Sequence, residues 1–199
     1  MKICVFGASS SAINETYKEA SENLGQLIAK RGHTLVYGAG ASGVMGSVAD
    51  GAYEAKGEII GVVPDFFLSQ DMGVDGQIFE NCTELIKTES MRDRKKLMED
   101  MSDAFIVAPG GIGTFEEFFE VFTLKQLERH NKPIAIFNVD GYYDAMFDML
   151  AKAISENFLR EPCRLLYKVF DNCDEMLDYI ENYKPAKLNV FDYKDIERI

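Results

Sequence analysis

The sequence is 199 residues long, enough for one α/β domain with a full core or two very small domains. Apolar residues make up 47% and charged residues 27%, the balance of a soluble globular chain, and no run of eighteen apolar residues indicates a transmembrane helix. The formal net charge of −12 opposes nucleic acid and anionic membranes as partners, so any attraction for a phosphate has to come from local donors.

The chain enters an apolar, β-prone run at once (2–7), with no separate charged region, apolar core and cleavage site, so no signal peptide is read. Cys4 lies in that run, where a buried thiol acts as a small apolar side chain. Cys82, Cys163 and Cys173 are scattered, with no Cys-x-x-Cys pair and no His at ligand spacing. Neither disulfides nor a metal are expected, and a reducing cytoplasm fits.

Helical periodicity follows over 13–31, with Asn14 or Ser11 as cap and Gly32 as a left-handed end. A strand is predicted at 34–37, a helix over 44–56 closed by Gly57, and a strand at 58–63. The stretch 64–76 is polar and glycine-containing, with a Phe66-Phe67-Leu68 cluster suited to covering the mouth of a cleft. Next come a strand at 83–87, a helix over 90–101, a strand at 104–108 and a helix over 114–130. A strand at 133–139, opened by Pro133, a helix over 142–156, a short run at 167–170 and a last helix over 173–183 complete the order. Short apolar strands alternating with helices predict a doubly wound, Rossmann-like parallel sheet with helices on both faces, in one domain over 1–183. Residues 184–199 show little periodicity and read as a tail that wraps the surface or meets a second subunit.

In such a sheet ligands sit beyond the carboxyl ends of the strands, and three small-residue turns fall there. The first is Gly7-Ala8-Ser9-Ser10-Ser11. The second holds Gly38, Gly40 and Gly43, which match Gly-x-Gly-x-x-Gly, with Asp65 as the acid after the next strand. Because this match lies in the second unit rather than the first, three readings stay open: dinucleotide binding, tight packing of helix on strand, or a share in a common nucleotide pocket. The third turn, Pro109-Gly110-Gly111-Ile112-Gly113-Thr114, is more specific. Its glycines let backbone N–H groups approach an anion, the following helix adds its positive end, and Thr114 can cap that helix or donate to a phosphate oxygen. It lacks the Gly-Lys-Ser/Thr ending of a triphosphate loop, so a single phosphate fits better.

Glu116 and Glu117 are expected in the first turn of that helix, where both could complement its dipole. Glu117 lies one turn past Gly113 on the same side and can look into the site, toward ribose hydroxyls or a positive centre in the reaction. The helix opening at Ser90 carries Arg92, Arg94, Lys95 and Lys96, with Met91, Arg94, Lys95 and Met98 on one side. Arg suits bidentate phosphate contact and Lys a point-charge contact, although a plain packed and solvated helix has the same composition.

These motifs together, with Tyr37-Gly38-Ala39-Gly40, Gly43-Val44-Met45-Gly46 and the run from Lys132 to Tyr143 that holds Asp140-Gly141-Tyr142-Tyr143, resemble the LONELY GUY family of cytokinin riboside 5′-monophosphate phosphoribohydrolases, often mislabelled lysine decarboxylases. The resemblance runs from the first strand to about Tyr183. It implies a Rossmann-like fold, usually a homodimer, that hydrolyses the N-glycosidic bond of AMP-type nucleotides to a free base and ribose 5-phosphate, with no cofactor or metal. The family's catalytic Arg and Glu fall on Arg94 and Glu117. Its phosphate and ribose contacts fall on Gly111, Ile112, Gly113, Thr114, Phe115 and Glu116, with Lys95 and Thr123 adding to the site; Gly110, which opens the same glycine loop, is a further binding candidate. Met91 belongs to the same basic-helix motif, and Ser9 and Gly40 stand on the facing turns. Three departures are visible: Arg92 stands where the family has His, Ala39 replaces the middle Gly of a triple-glycine turn, and the nearest match to an upstream acid is Asp75, followed by Gly76.

On that basis Glu117 is expected to stabilise an oxocarbenium-like centre or activate water, Arg94 to assist the leaving purine or anchor the phosphate, and the 110–114 loop to fix the 5′-phosphate. A broader nucleoside-monophosphate nucleosidase and a non-catalytic nucleotide carrier are the competing readings. Lysine decarboxylation needs pyridoxal phosphate on a Schiff-base lysine, and the sequence places no Lys in a constellation of that kind.

Overall fold

The computed structural model describes residues 1–68, 78–185, 187 and 189–193. Seven parallel strands form one sheet: β1 (Lys2–Phe6), β2 (Thr34–Tyr37), β3 (Ile59–Pro64), β4 (Glu84–Thr88), β5 (Ala104–Val107), β6 (Ile134–Phe137) and β7 (Lys168–Phe170). Their spatial order is β4-β3-β2-β1-β5-β6-β7. The chain therefore winds outward one way from β1 through β4, returns to the centre at β5, and winds the other way.

The predicted doubly wound fold is what the chain adopts, and alternation along each strand explains its two cores. Ile3 and Val5 of β1, with Leu35, Tyr37 and Ile59, pack on one face under α1 (Glu15–Lys30), α2 (Gly43–Glu54) and α6 (Cys173–Glu181). Cys4 and Phe6, with Val36, Ile60 and Val62, pack on the other under α3 (Met91–Met101), α4 (Ile112–Gln126) and α5 (Asp144–Ser155). The inner strands are almost wholly buried, while the edge strands β4 and β7 leave most of their residues exposed and bury only the last, Thr88 and Phe170. Among the described residues no helix is long and apolar enough to cross a membrane.

Helix ends follow local chemistry in most places. The Asn14 side chain accepts from the Thr16 amide at 3.0 Å and starts α1, and Gly32 at φ +72° closes it. Two expected boundaries differ. The left-handed residue after α2 is Lys56 at φ +59°, not Gly57. Helix α4 begins two residues before Thr114, with Gly111 as its cap, so Glu116 and Glu117 occupy its second turn and do not complement its first. The polar stretch after β3 opens with a short 3₁₀ turn, Asp65–Leu68, and Phe67 from it reaches the site described below. Asp75 and Gly76 lie outside the described residues. Part of the C-terminal stretch folds back on the body: α7 (Val190–Tyr193) buries Tyr193, whose carbonyl accepts from Gln126 Nε2 at 3.2 Å.

Candidate active site

Because the winding reverses at the centre, the turns after β1 and β5 diverge from neighbouring strand ends and leave a crevice between them. The turn after β2 closes its third side. Gly43, at φ +64°, sits so close to the first turn that a Cβ there would meet the Ser10 carbonyl oxygen at 2.5 Å. The Met45 amide donates to the Ala8 carbonyl at 3.0 Å, so the two turns are locked main chain to main chain. The resulting cavity of about 440 Å³ is within the usual range for a small-molecule site.

One wall is the start of α4. Gly111, Ile112, Gly113 and Thr114 line it, and the first amides of a helix have no intrahelical acceptor. A Cβ at Gly111 or Gly113 would meet no protein atom within 4 Å, so these glycines leave space that the protein's own packing does not use. Thr114 is buried and lines the cavity, but it stands inside the helix and does not cap it. Ser9 and Ser10 from the first turn and Gly40 from the second complete the polar side. The opposite side is apolar, built from Met45, Val63, Phe67 and Met91.

Arg94 and Glu117 meet at the floor. The Arg94 Nη1 donates to Glu117 Oε1 at 3.3 Å and its Nε to the Val62 carbonyl at 3.0 Å. Both side chains are nearly buried, at 9% and 12% exposure. Gly38 makes this placement possible: a Cβ there would lie 1.8 Å from Arg94 Nη2. Of the three readings left open for the second turn, the structure thus favours a share in one pocket. Burial raises the Glu117 carboxyl above its ordinary pKa, and the adjacent guanidinium pulls it back down. Such a carboxylate is more basic than a surface glutamate while remaining paired to a permanent cation. Beneath the pair Cys4 is fully buried, and burial, with Glu117 next, pushes its thiol well up, so it stays neutral packing.

Five of the predicted binding residues stand outside the cavity lining. Lys95 turns to α4, where its Nζ donates to Glu116 and, at 2.6 Å, to Glu120. Glu116 is engaged by that contact. Phe115 packs edge-on against Tyr143, with ring centroids 6.0 Å apart. Gly110 lies behind the loop, its carbonyl accepting from the Tyr142 hydroxyl at 2.7 Å. Thr123 is exposed farther along α4. Arg92 is exposed at the start of α3. Ala39, the residue in place of a glycine, adopts φ +62°, a conformation that costs a non-glycine residue about 1–2 kcal/mol. Its carbonyl accepts from the Phe79 amide at 2.9 Å.

Two features of the site escaped sequence reasoning. Ile78 lines the cavity with no local motif to announce it, whereas Phe67, from the aromatic cluster expected at the mouth of a cleft, lines it from the other side of residues 69–77. The need for Gly38 arises from α3, more than fifty positions later in the chain, and so has no signal in its own turn.

Comparison with known proteins shows the family. A family model described as "Possible lysine decarboxylase" matches residues 45–180. A probable cytokinin riboside 5′-monophosphate phosphoribohydrolase of Oryza sativa subsp. japonica is 39% identical over 92% of this chain and 73% of its own length. A cytokinin riboside 5′-monophosphate phosphoribohydrolase of Arabidopsis thaliana is 36% identical over 93% of this chain and 79% of its own. Among solved structures, the molybdenum cofactor carrier protein of Chlamydomonas reinhardtii superposes with a TM-score of 0.65, covering 90% of this chain and 95% of that one. At 22% identity this likeness concerns the fold alone. Identity at this level over nearly the whole chain, with the Arg94–Glu117 pair and the glycine loop meeting at one cavity, places the chain in the LONELY GUY family of cytokinin riboside 5′-monophosphate phosphoribohydrolases.

Proposed function

We propose that this protein is a phosphoribohydrolase that cleaves the N-glycosidic bond of AMP or an N6-substituted AMP, releasing the adenine-type base and ribose 5-phosphate. The observation that carries this reading is the buried Arg94–Glu117 pair at the floor of a cavity whose wall is a run of helix-start amides with no intrahelical acceptor. The 5′-phosphate sits on Gly111, Ile112, Gly113 and Thr114, where the helix end and backbone N–H groups offset its charge in an otherwise acidic protein. The sugar then lies over Glu117 and the base toward the apolar side.

As the bond to the base stretches, positive charge develops at the anomeric carbon and negative charge on the leaving base. Glu117 faces the first as a carboxylate and activates the attacking water by accepting its proton. Arg94 has donors to spare for the second, or for the phosphate. The new C–O bond gives ribose 5-phosphate as the C–N bond breaks, and the departing base takes up a proton from solvent while Glu117 returns the one it accepted. This chemistry calls for neither cofactor nor metal.

The description attached to the family model fits the site less well. Among the described residues the cavity lining contains no lysine, and the nearby Lys95 is engaged by two glutamates, so a Schiff base to pyridoxal phosphate finds no free amine. The test is incubation with AMP and with N6-isopentenyl-AMP, followed by chromatography for the free base. Appearance of adenine or its prenyl derivative with equimolar ribose 5-phosphate is expected. Tight binding without base release would instead favour a carrier, and equal turnover of GMP, IMP and pyrimidine monophosphates a broader nucleosidase.

The same reading takes the protein as a cytoplasmic homodimer engaged in cytokinin activation. The aromatic set on α4 does not by itself supply a dimer surface, since Phe118 and Phe122 are buried within the chain and Phe115 and Phe119 pack against the same core. The exposed Ile112, Met149, Phe158 and Leu165 offer apolar surface in its place, and sedimentation of the purified protein at twice the chain mass is expected.

A further inference from the structure

Three successive carbonyls lead into the glycine loop, and each accepts a hydrogen bond from outside it. The Ala108 oxygen takes one from Tyr143 Oη at 2.7 Å, the Pro109 oxygen one from the Ala8 amide at 3.1 Å, and the Gly110 oxygen one from Tyr142 Oη at 2.7 Å. A peptide unit is a rigid plane with its C=O and the next N–H antiparallel. Holding the Gly110 carbonyl toward Tyr142 therefore fixes the Gly111 amide to point away from it, and Gly111 lines the cavity. If that plane flipped, a carbonyl dipole would replace an amide donor on the wall where an anion is to sit.

The two tyrosines are built for this task. Tyr143 is 1% exposed, its amide donates to the Asn138 side chain at 2.7 Å, and burial keeps its hydroxyl protonated and so able to donate. Tyr142 is 38% exposed, and its ring is held edge-on between Tyr17 and Tyr143, with centroids 5.7 and 4.9 Å away. Both come from the segment after β6, which neighbours β5 in the sheet, so the donors reach the loop from the next strand end.

We propose that Tyr142, braced by the ring of Tyr143, is a positioning residue that sets the affinity of the loop for the substrate's 5′-phosphate, by holding the Gly110 carbonyl turned away from the anion. This rests on the reading of the loop as the phosphate seat. Neither tyrosine touches the reacting atoms. Their effect falls on phosphate-bearing ligands and leaves recognition of the base unchanged.

The test uses calorimetric titration of the full-length wild type, Tyr142→Phe and Tyr143→Phe with ribose 5-phosphate and with adenine, beside kcat and KM for AMP. Tyr142→Phe keeps the ring and its stacking and removes one neutral hydrogen bond. It should weaken ribose 5-phosphate binding and raise KM for AMP about three- to ten-fold, with adenine affinity and kcat held within two-fold and the melting temperature nearly unchanged. Tyr143→Phe frees the Ala108 carbonyl, whose peptide partner Pro109 has no N–H, so it should cost more stability and change ribose 5-phosphate affinity less than Tyr142→Phe. Unchanged ribose 5-phosphate affinity in a folded Tyr142→Phe overturns the proposal. So does a parallel loss of adenine affinity, which would mark a general structural role. If the wild type binds adenine but not ribose 5-phosphate, the phosphate-seat reading itself fails, and that result differs from a loss seen only in the variants.

Discussion

The molecule holds two arginines in opposite circumstances. Arg31, at the end of α1, meets the carboxylates of Asp174 at 2.7 Å, Asp178 at 2.6 Å and Glu181 at 3.2 Å, and also the Asp174 carbonyl at 3.3 Å. Its acidic partners are between 31% and 65% exposed. Arg94 is nearly buried, yet its described contacts are one carboxylate at 3.3 Å and one carbonyl. Arg31 stands beside water and still has four acceptors for its two terminal nitrogens; Arg94 is shielded from bulk water and has donors facing a cavity. A guanidinium has five N–H groups, so the difference marks a charge held ready for a ligand rather than used for cohesion.

That contrast breaks most cleanly at Glu117. Glu117→Gln keeps the shape and an acceptor for Arg94 but removes the base, and adenine release from AMP should fall by about 100- to 1000-fold with the fold intact. If turnover survives, Glu117 is a packing partner like the acids around Arg31. In the wild type the acid limb of the kcat/KM profile should titrate above the range of an ordinary glutamate, because burial raises this carboxyl, and Glu117→Gln should abolish that limb. Arg94→Ala should lose activity comparably, measured in the same release assay.

It should also lose stability in a pH-dependent way. Without the guanidinium the buried Glu117 carboxyl rises further, and a carboxyl whose pKa is raised on folding contributes stability that is lost as pH climbs through the folded value. Arg94→Ala should therefore be less stable than wild type by up to about 3 kcal/mol at pH 8 and by less at pH 5. Denaturant midpoints at the two pH values check the sign, and a larger loss at pH 5 would sink it. Arg31→Ala should behave differently: a loss of about 1 kcal/mol that shrinks in high salt, with adenine release untouched.

How much of this was legible before folding depends on the range of the contacts involved. Strand and helix order is written in short apolar runs and in the 3.6-residue period between them, so β1 through β7 fall within a residue or two of their predicted ranges. The glycine loop and Glu117 are local in sequence, and both reach one cavity. The partner of a long side chain is not local. Lys95 follows Arg94 directly on α3, yet one turns to Glu116 and Glu120 outside the lining and the other to Glu117 at the floor. Nothing in the run Arg92-Asp93-Arg94-Lys95-Lys96 separates them, because the choice is made by how α3 crosses α4. The tyrosine tethers illustrate the same limit with a clue attached. Consecutive strands usually lie side by side, so a Tyr pair just after β6 had a fair chance of facing the loop after β5. Its hydroxyl targets, however, are carbonyls, which carry no residue identity to match.

A third charged cluster lies between the two arginines in character and gives the smallest test. Glu99, on α3 behind Lys95, is raised to about 7, first by burial and then by the neighbouring Glu120, although Lys95 opposes this. Its main-chain carbonyl accepts from Lys132 Nζ at 2.7 Å, which holds the end of α3 while leaving the carboxyl to its acidic surroundings. The carboxyl binds its proton more tightly folded than unfolded, so its contribution is intact below about pH 4 and is lost as pH rises through about 7. Glu99→Gln mimics the protonated form at every pH. Only half-buried, the site is partly screened by water, so the variant should gain about 1 kcal/mol over wild type at pH 8 and nothing at pH 4. A gain of equal size at both pH values would mean that the amide simply packs better. A gain confined to high pH, with adenine release unchanged, would show that acidic crowding between α3 and α4 stops short of the Arg94–Glu117 floor.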